Sequence, residues 1–180
     1  MRAPRFINER NVIELKIPQE MKECRQFIVW GANTQKPKQP CSPLTLLSDN
    51  WQHPDNWGTY DQAKQVVKAG HAKGIGFCFN GNGIYGVDLD NVFIDGKLIL
   101  EAQDIVNRLD SYTEYSMSEN GLHIFVYAPG VDLLGPLGKG KTKLAFPNYP
   151  QDEKRAFEIY QSAGYVALTG NLYEGRDITC

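Results

Sequence analysis

The sequence has few cysteines, no close pairs of them and no long apolar run, and each absence excludes a class of protein. Its four cysteines form no CxxC pair, so we expect free thiols and no zinc site. No segment approaches the roughly 20 consecutive apolar residues of a membrane span. The first residues lack the apolar stretch of a secretory signal. We therefore expect a cytoplasmic protein with no membrane partner. The cysteines are Cys24, Cys41, Cys78 and Cys180.

The sequence also lacks a strong excess of charge of either sign. It contains 19 lysine and arginine residues against 21 aspartate and glutamate residues, which gives a formal net charge of −2. This balance excludes a polycation that binds nucleic acid through its total charge. Two segments, 31–47 and 133–149, nevertheless contain lysines and no acidic residue. Each segment is either a solvated loop or a local binding place for anions, and charge alone leaves both readings open.

The 180 residues are 42% hydrophobic, which is enough for a self-sufficient core. We expect one domain spanning residues 1–180, either alone or as the N-terminal part of a longer protein. Strand-like runs and two amphipathic helices predict a mixed α/β (α+β) fold with hairpins rather than a βαβ repeat. The predicted helices begin at Thr59 and Leu98. The predicted strands are Gln26–Trp30, Gly74–Asn80, Ile84–Asp90, Tyr112–Ser116, Leu122–Tyr127, Ala156–Gln161 and Tyr165–Thr169.

Glycine and proline mark two connections in this pattern. Gly81-Asn82-Gly83 is typical of a tight hairpin that pairs the strands on either side of it. Residues 31–58 contain four prolines, which predicts irregular structure. A connection of this length is uncommon in a compact domain unless it is functional.

Strand alternation predicts a polar face with two carboxylates. Asp88 and Asp90 point to the same side of the strand Ile84–Asp90, because side chains two residues apart share a face. Their Cα atoms would lie roughly 7 Å apart. At this separation unscreened like charges repel, and a cation between them would remove the repulsion. Carboxylate oxygens favour Mg²⁺ or Mn²⁺.

Two further strands carry titratable side chains on a polar face. His123 lies opposite the apolar side of Leu122–Tyr127, and Glu158 lies opposite the apolar side of Ala156–Gln161. If these strands share a sheet with Asp88 and Asp90, the four side chains can converge. Three acids and a histidine suit phosphoryl chemistry with two metal ions. Taken singly, His123 and Glu158 fit an ordinary exposed strand position better than a site. For the combination, alternation alone leaves both readings open.

A third pattern, in Gly135–Thr142, matches the GxxxxGK[ST] signature of nucleotide-binding P-loops. A true P-loop needs a strand that runs directly into it and a helix that begins at its Lys-Thr pair. Pro129 and Gly130 interrupt the first requirement, and the residues after Thr142 are poor helix formers. We therefore expect a basic loop near phosphates instead of a P-loop.

Four groups of residues follow one another in an order that is more specific than any single group. They are Trp30 with Lys38-Gln39-Pro40; Val87-Asp88-Leu89-Asp90-Asn91 after the GIGF strand; Ser111-Tyr112-Thr113-Glu114 with Ser116-x-Ser118-x-x-Gly121-Leu122-His123; and Phe157-Glu158-Ile159-Tyr160 with Gly164-Tyr165 and Leu168-Thr169-Gly170. In this order they resemble the motifs of the primase–polymerase family of phages and plasmids, within the archaeo-eukaryotic primase superfamily. The resemblance extends from about Phe27 to Asp177.

The resemblance implies a primase–polymerase fold, in which an RRM-like mixed sheet with helices is joined to a smaller α/β unit. It implies a DNA primase and DNA polymerase that transfers nucleotides on a single-stranded DNA template in phage or plasmid replication. Two Mg²⁺ or Mn²⁺ ions are the implied cofactors, and deoxynucleoside or ribonucleoside triphosphates the implied substrates. A helicase domain or a replication protein is an implied partner, in the cytoplasm of a bacterial host.

The resemblance also implies a role for each matching residue. Asp88, Asp90 and Glu158 would be metal ligands, and with His123 they form the implied catalytic set. The implied nucleotide-binding residues are Ser116, Ser118, His123 and Lys38.

The chain departs from the family at two places. The family often has glycine where this chain has Glu119, and Gly-Arg-Tyr where it has Ala163-Gly164-Tyr165. A lysine could replace the missing arginine as a DNA or phosphate contact. The candidates are Lys139, Lys141 and Lys143.

Two other functions remain open at this point. A strand with the D-x-D pattern also holds the metal and diphosphate in transferases that use nucleotide sugars. That function leaves the His123 and Glu158 strands unexplained. Alternatively, the domain could be a catalytically silent replication module that binds nucleotide or single-stranded DNA.

Overall fold

The computed structural model describes residues 14–32, 36, 38–135, 140–149, 154–174 and 178. They form short helices and antiparallel strands, which confirms the predicted mixed α/β fold. The helices are α1 (Gln19–Lys22), α2 (Tyr60–Lys68) and α3 (Leu100–Leu109), with a 3₁₀ turn at Pro54–Asn56. The strands are β1 (Phe27–Trp30), β2 (Pro40–Cys41), β3 (Gly74–Cys78), β4 (Ile84–Asp90), β5 (Phe93–Ile94), β6 (Lys97–Leu98), β7 (Thr113–Tyr115), β8 (Leu122–Tyr127), β9 (Lys141–Ala145), β10 (Ala156–Tyr160) and β11 (Tyr165–Ala167).

The chain divides into two compact units, and the first comprises Met1–Cys78 with Tyr165–Thr169. Its sheet has the strand order β11-β3-β1-β2. Helix α2 begins where the sequence predicts, because the Thr59 and Gln62 side chains form a reciprocal capping box. Phe27 on β1 packs against the ring of Phe77 on β3, so an aromatic core holds the two strands together.

The second unit comprises Phe79–Gly164 with Gly170–Cys180. Its antiparallel sheet has the order β7-β8-β4-β10-β9, and β5 pairs with β6 in a small separate ribbon. Helix α3 packs against one face of this sheet through a cluster of buried apolar side chains. The opposite face of the sheet carries the candidate site. The cluster contains Leu89, Val92, Ile99, Ala102, Val106, Leu122, Ile124 and Phe146.

Of the two predicted connections, the hairpin is wrong, whereas most described residues of the proline-rich segment are irregular, as predicted. Gly81-Asn82-Gly83 does not close a hairpin, because β3 pairs with β1 and β11 whereas β4 pairs with β8 and β10. Both edges of β3 and both edges of β4 are therefore occupied by strands from elsewhere in the sequence, and β3 and β4 do not pair with each other. In the proline-rich segment, Pro40–Cys41 forms a short strand on β1. A proline is tolerated there because β2 is an edge strand.

Cys41 and Cys78 are free thiols as predicted, and Cys180 lies outside the described residues. Burial raises the pKa of the Cys41 and Cys78 thiols above the usual value. Within the described part of the chain, no helix is long and apolar enough to span a membrane.

Candidate active site

A row of five titratable side chains crosses the sheet of the second unit. The register places each member directly opposite the next on the neighbouring strand. Directly opposed residues of antiparallel strands point to the same face, so the five side chains line up there. From β7 to β9 this charged row consists of Glu114, His123, Asp88, Glu158 and Lys143. Asp88, His123 and Glu158 therefore lie side by side, as alternation along the strands predicts.

Asp88 stands at the centre of the charged row, and its side chain is only 21% exposed. Burial raises the pKa of Asp88 to about 6, since a carboxylate loses its hydration there. His123 opposes this shift, whereas the negative charges of Asp90 and Glu158 add to it. The centre of the row thus holds more negative charge than its surroundings solvate, and a cation would stabilise it.

Lys143 supplies positive charge at one end of the row. Its Nζ atom lies 3.2 Å from Glu158 Oε1 and 3.7 Å from Asp90 Oδ2. Burial by itself would lower the pKa of Lys143, but the hydrogen bond to Glu158 and the two negative charges raise it. Burial would likewise raise the pKa of Glu158, but hydrogen bonds from the Tyr160 hydroxyl and Lys143 hold it below its usual value. Glu158 is therefore a carboxylate that is already balanced by a neighbouring cation.

His123 lies buried between two acids. Its Nδ1 atom is 3.1 Å from Glu114 Oε1, and its Nε2 atom is 3.7 Å from Asp88 Oδ1. Burial opposes protonation of the ring, but the hydrogen bond to Glu114 and the charge of Asp88 outweigh it and raise the pKa of His123. The imidazole thus faces the carboxylate centre with its Nε2 edge.

An aromatic row borders the charged row two residues further along the strands. Gly86 on β4 lies opposite Phe125 on β8 and Tyr160 on β10. The ring of Phe79 stacks on the rings of Phe125 and Tyr160, with centroids 6.2 Å and 5.4 Å away. A Cβ atom at position 86 would overlap the Phe79 ring, so the glycine makes room for this packing. The aromatic side chains therefore form an apolar wall beside the charged row.

The two predicted nucleotide-binding serines lie in a turn between β7 and β8. Their hydroxyl groups are 3.1 Å apart, and Ser118 Oγ accepts a hydrogen bond from the Asn120 amide. The Ser116 amide donates to the Gly121 carbonyl, which closes the turn. A Cβ atom on Gly121 would overlap the carbonyl oxygen of Leu89, so the turn packs against the end of β4 that carries Asp90.

The four predicted phosphate-binding lysines fall in different places. Lys143 belongs to the charged row, and Lys141 lies on the same strand with its Nζ atom 5.4 Å from the centroid of the Tyr160 ring. Lys38 is an exposed turn residue of the first unit. Lys139 lies outside the described residues.

The P-loop interpretation is excluded by the element that follows the Lys-Thr pair. Lys141–Ala145 forms strand β9, which pairs with β10 along its whole length. A P-loop needs the first turn of a helix at this position, because its backbone amides bind the phosphates. The expectation of a loop is also wrong here, since alternating residues of β9 bring Lys141 and Lys143 to the site face.

Asp88, Asp90 and Glu158 are the carboxylates that could hold divalent cations, and oxygen donors of this kind suit Mg²⁺ or Mn²⁺. As the side chains of the described residues stand, no three His, Cys, Asp or Glu groups converge on one metal position. Lys143 neutralises Asp90 and Glu158 instead. The donor chemistry and the need for positive charge at Asp88 fit divalent ions, provided that the half-exposed Lys143 side chain turns away.

Sequence reasoning missed three contributors to this site. Glu114 had no assigned role because nothing in its spacing distinguishes it from a surface glutamate. Tyr160 was part of a motif, but its hydrogen bond to Glu158 depends on strand geometry. Strand β9 was missed because only five residues form it between Gly140 and Phe146. Its alternating lysines were the one available signal for a strand with a basic face.

These features define a mixed α/β domain with a row of charged side chains on one sheet face, and the fold is compatible with that of the primase–polymerases. No protein-family model matches the chain. The chain is similar to the protein named DNA Primase-polymerase of Nitratiruptor phage NrS-1, with 28% identity over 169 residues. The match covers 92% of this chain and 22% of the phage protein. This similarity supports a phage primase–polymerase domain and confirms the resemblance that the ordered motifs indicate. The chain spans about a fifth of the length of this relative.

Proposed function

We propose that this chain is the catalytic domain of a DNA primase–polymerase that joins nucleotides on a single-stranded DNA template. The observation that carries the proposal is the strand register, which sets Glu158 opposite Asp88 and Asp88 opposite His123. Residues that are 70 positions apart in sequence thereby form one charged surface. The similarity to the phage primase–polymerase over most of the chain supports the same function.

In this proposal, Asp88, Asp90 and Glu158 hold two divalent ions. When bound, such ions would lower the pKa of the primer 3′-hydroxyl and neutralise charge on the triphosphate. Before nucleotide and metal bind, the ammonium group of Lys143 reduces the electrostatic repulsion between these carboxylates. Once it turns away from Glu158, its ammonium group is free to contact phosphate.

The nucleotide is held by residues around the charged row. His123 directs its Nε2 edge toward the carboxylate centre, where it can donate to a phosphate oxygen. Ser116 and Ser118 present two hydroxyl groups at the Asp90 end of β4, which suits the remaining phosphates. We propose Lys38 as an additional phosphate contact on the strength of its motif position, and Lys139 as one of the lysines that could replace the missing arginine.

Template binding should depend on the sugar–phosphate backbone and on base stacking. Lys141 and Lys143 give β9 a basic face, although the net charge of the chain is −2. Affinity for single-stranded DNA should therefore fall as the salt concentration rises, because binding releases counterions from the DNA.

The test is primer extension on single-stranded DNA with each nucleotide type in Mg²⁺ and in Mn²⁺. The double change Asp88→Ala, Asp90→Ala should reduce incorporation to background. The double change Asp61→Ala, Asp104→Ala removes the same charge from exposed helix positions and should leave incorporation intact. Synthesis by the first variant at the wild-type rate would refute the proposal.

Two other outcomes would identify the alternatives. If the wild-type chain binds nucleotide or DNA without incorporating nucleotide, the silent binding module is the better description. If it transfers sugar from a nucleotide sugar in a metal-dependent reaction, it is a nucleotide-sugar transferase. Replication of a phage or plasmid, with a helicase domain as partner and the bacterial cytoplasm as location, is the setting we propose for the activity.

A further inference from the structure

Glu114 is a fully buried glutamate at the edge of the charged row. It lies opposite His123 on β7, which is an edge strand of the sheet. Its side chain nevertheless has no solvent exposure. A carboxylate is rarely buried to this degree unless donors surround it. The contacts of its two oxygen atoms therefore indicate its role.

The oxygen Oε2 accepts two hydrogen bonds. The Tyr112 hydroxyl donates over 2.9 Å, and the backbone amide of Gly170 donates over 2.8 Å. A backbone amide can only donate, so Oε2 must be an acceptor. Gly170 has a positive φ of 63°, a conformation that glycine adopts without strain.

The oxygen Oε1 faces the Nδ1 atom of His123 at 3.1 Å. Because Oε2 is saturated by its two donors, the carboxylate completes its shell through Oε1 by accepting the Nδ1–H of the imidazole. This bond leaves Nε2 as the edge that faces Asp88. The same arrangement fixes the ring plane, since Tyr112 and Gly170 hold Glu114 in place.

We propose that Glu114 is a positioning residue for His123: it keeps a proton on Nδ1 and directs Nε2 to the reaction centre. The inference rests on the proposed function in which His123 contacts the incoming triphosphate. Glu114 itself touches neither substrate nor metal. It acts as carboxylates do behind functional histidines, where they set the orientation and the tautomer of the ring.

The variant Glu114→Gln separates positioning from packing, because it preserves the shape of the side chain. Tyr112 and Gly170 both donate, so they retain the amide oxygen of the glutamine. The amide nitrogen must then face His123, and it can only donate to Nδ1. We expect the imidazole to lose its Nδ1 proton in this variant, because Nδ1 must then accept the hydrogen bond from the amide. Glu20→Gln is the matched control, since it makes the same change of shape and charge at an exposed glutamate of α1.

The direct measurement is ¹H–¹⁵N correlation spectroscopy of the His123 ring in the full chain. Nδ1 should carry a proton in the wild-type protein and in Glu20→Gln, and lose it in Glu114→Gln. A wild-type spectrum with an unprotonated Nδ1 would overturn the proposal even if the variant failed to fold. Thermal unfolding of each variant establishes that it is folded.

Primer extension supplies the second readout. Glu114→Gln should reduce the rate of incorporation by about 10-fold or more, by analogy with the roughly 10- to 100-fold lost when the carboxylate behind a metal-ligating histidine is removed. Glu20→Gln should keep the wild-type rate. Equal rates for Glu114→Gln and wild-type would also overturn the proposal. The spectroscopic measurement does not require the protein to be active. An inactive wild-type chain would therefore contradict the proposed function, whereas the location of the His123 proton would still be tested by the spectrum.

Discussion

Asp88 and Glu158 lie directly opposite each other on adjacent antiparallel strands, although 70 residues separate them in the sequence. Each has a different electrostatic environment, since burial raises the pKa of Asp88 while Tyr160 and Lys143 hold that of Glu158 low. The pair is tolerated because Lys143 and His123 flank it with donors. This balance of two acids against two basic side chains is the relationship from which the proposed chemistry follows.

Lys143 should compete with divalent ions for the carboxylates. The change Lys143→Met removes the ammonium group and keeps much of the apolar stem. We expect Mn²⁺ to bind about two- to fivefold more tightly without nucleotide, because a half-exposed ion pair contributes about 0.2–1 kcal/mol. Calorimetric titration measures this affinity. Lys68→Met is the control, since Lys68 is exposed at the end of α2, and its Mn²⁺ affinity should not change. Weaker Mn²⁺ binding by Lys143→Met would argue against competition.

Gly86 should tolerate no side chain while Phe79 remains in place. Gly86→Ala forces a methyl group into the Phe79 ring, and we expect the free energy of unfolding to fall by about 1–3 kcal/mol. Denaturant unfolding measures the change. In the background of Phe79→Leu, the same alanine should cost less, because the smaller side chain can move aside. An equal cost in both backgrounds would place the strain somewhere other than at this contact.

Glu119 occupies a backbone conformation that suits glycine, with a φ of 57°. Glycine is common at this place in the family that the chain resembles. Glu119→Gly should therefore raise the free energy of unfolding by about 0.5–1 kcal/mol, because the left-handed conformation strains any residue with a Cβ atom. Glu119→Ala removes the charge and keeps the strain, so it should show no gain. A gain of the same size in the alanine variant would assign the effect to charge.

The described cysteines should differ in their reaction with iodoacetamide. Cys41 and Cys78 are buried, which raises the pKa of both thiols and leaves less thiolate at any given pH. Cys24 is partly exposed, so it should be alkylated first near pH 8. Labelling of the buried pair should increase only at higher pH than is usual for a thiol. Peptide mapping by mass spectrometry distinguishes the sites, and early labelling of Cys78 would contradict the buried position.

The sequence predicts the site face better than the strand pairing. Period-two alternation places Asp88, His123 and Glu158 on polar faces. Their apolar neighbours along each strand point into the core, so these three side chains must point to the opposite face. Capping chemistry likewise predicts the start of α2 at Thr59. Pairing cannot be read in this way, since it depends on competition among distant strands. The glycine-rich link at 81–83 accordingly suggested a hairpin that longer pairings displaced.

The role of Glu114 is a second feature that the sequence does not predict. Its role follows from three donors that converge from positions 112, 123 and 170, and no local pattern encodes such a convergence. The sequence predicts a basic loop around Lys143, because the residues after Thr142 are poor helix formers and no strand runs directly into Gly135–Thr142. Side chains that act through another residue are thus found from coordinates and not from spacing.

The most direct test of the account is calorimetric binding of a nonhydrolysable deoxynucleoside triphosphate in the presence and absence of Mn²⁺. Wild-type protein should bind the nucleotide tightly only with Mn²⁺, and Glu158→Ala should lose that dependence. Asp104→Ala, which changes an exposed acid on α3, should bind like wild-type protein. If Glu158→Ala retains full Mn²⁺-dependent binding, the opposed carboxylates are not the place where metal and nucleotide meet.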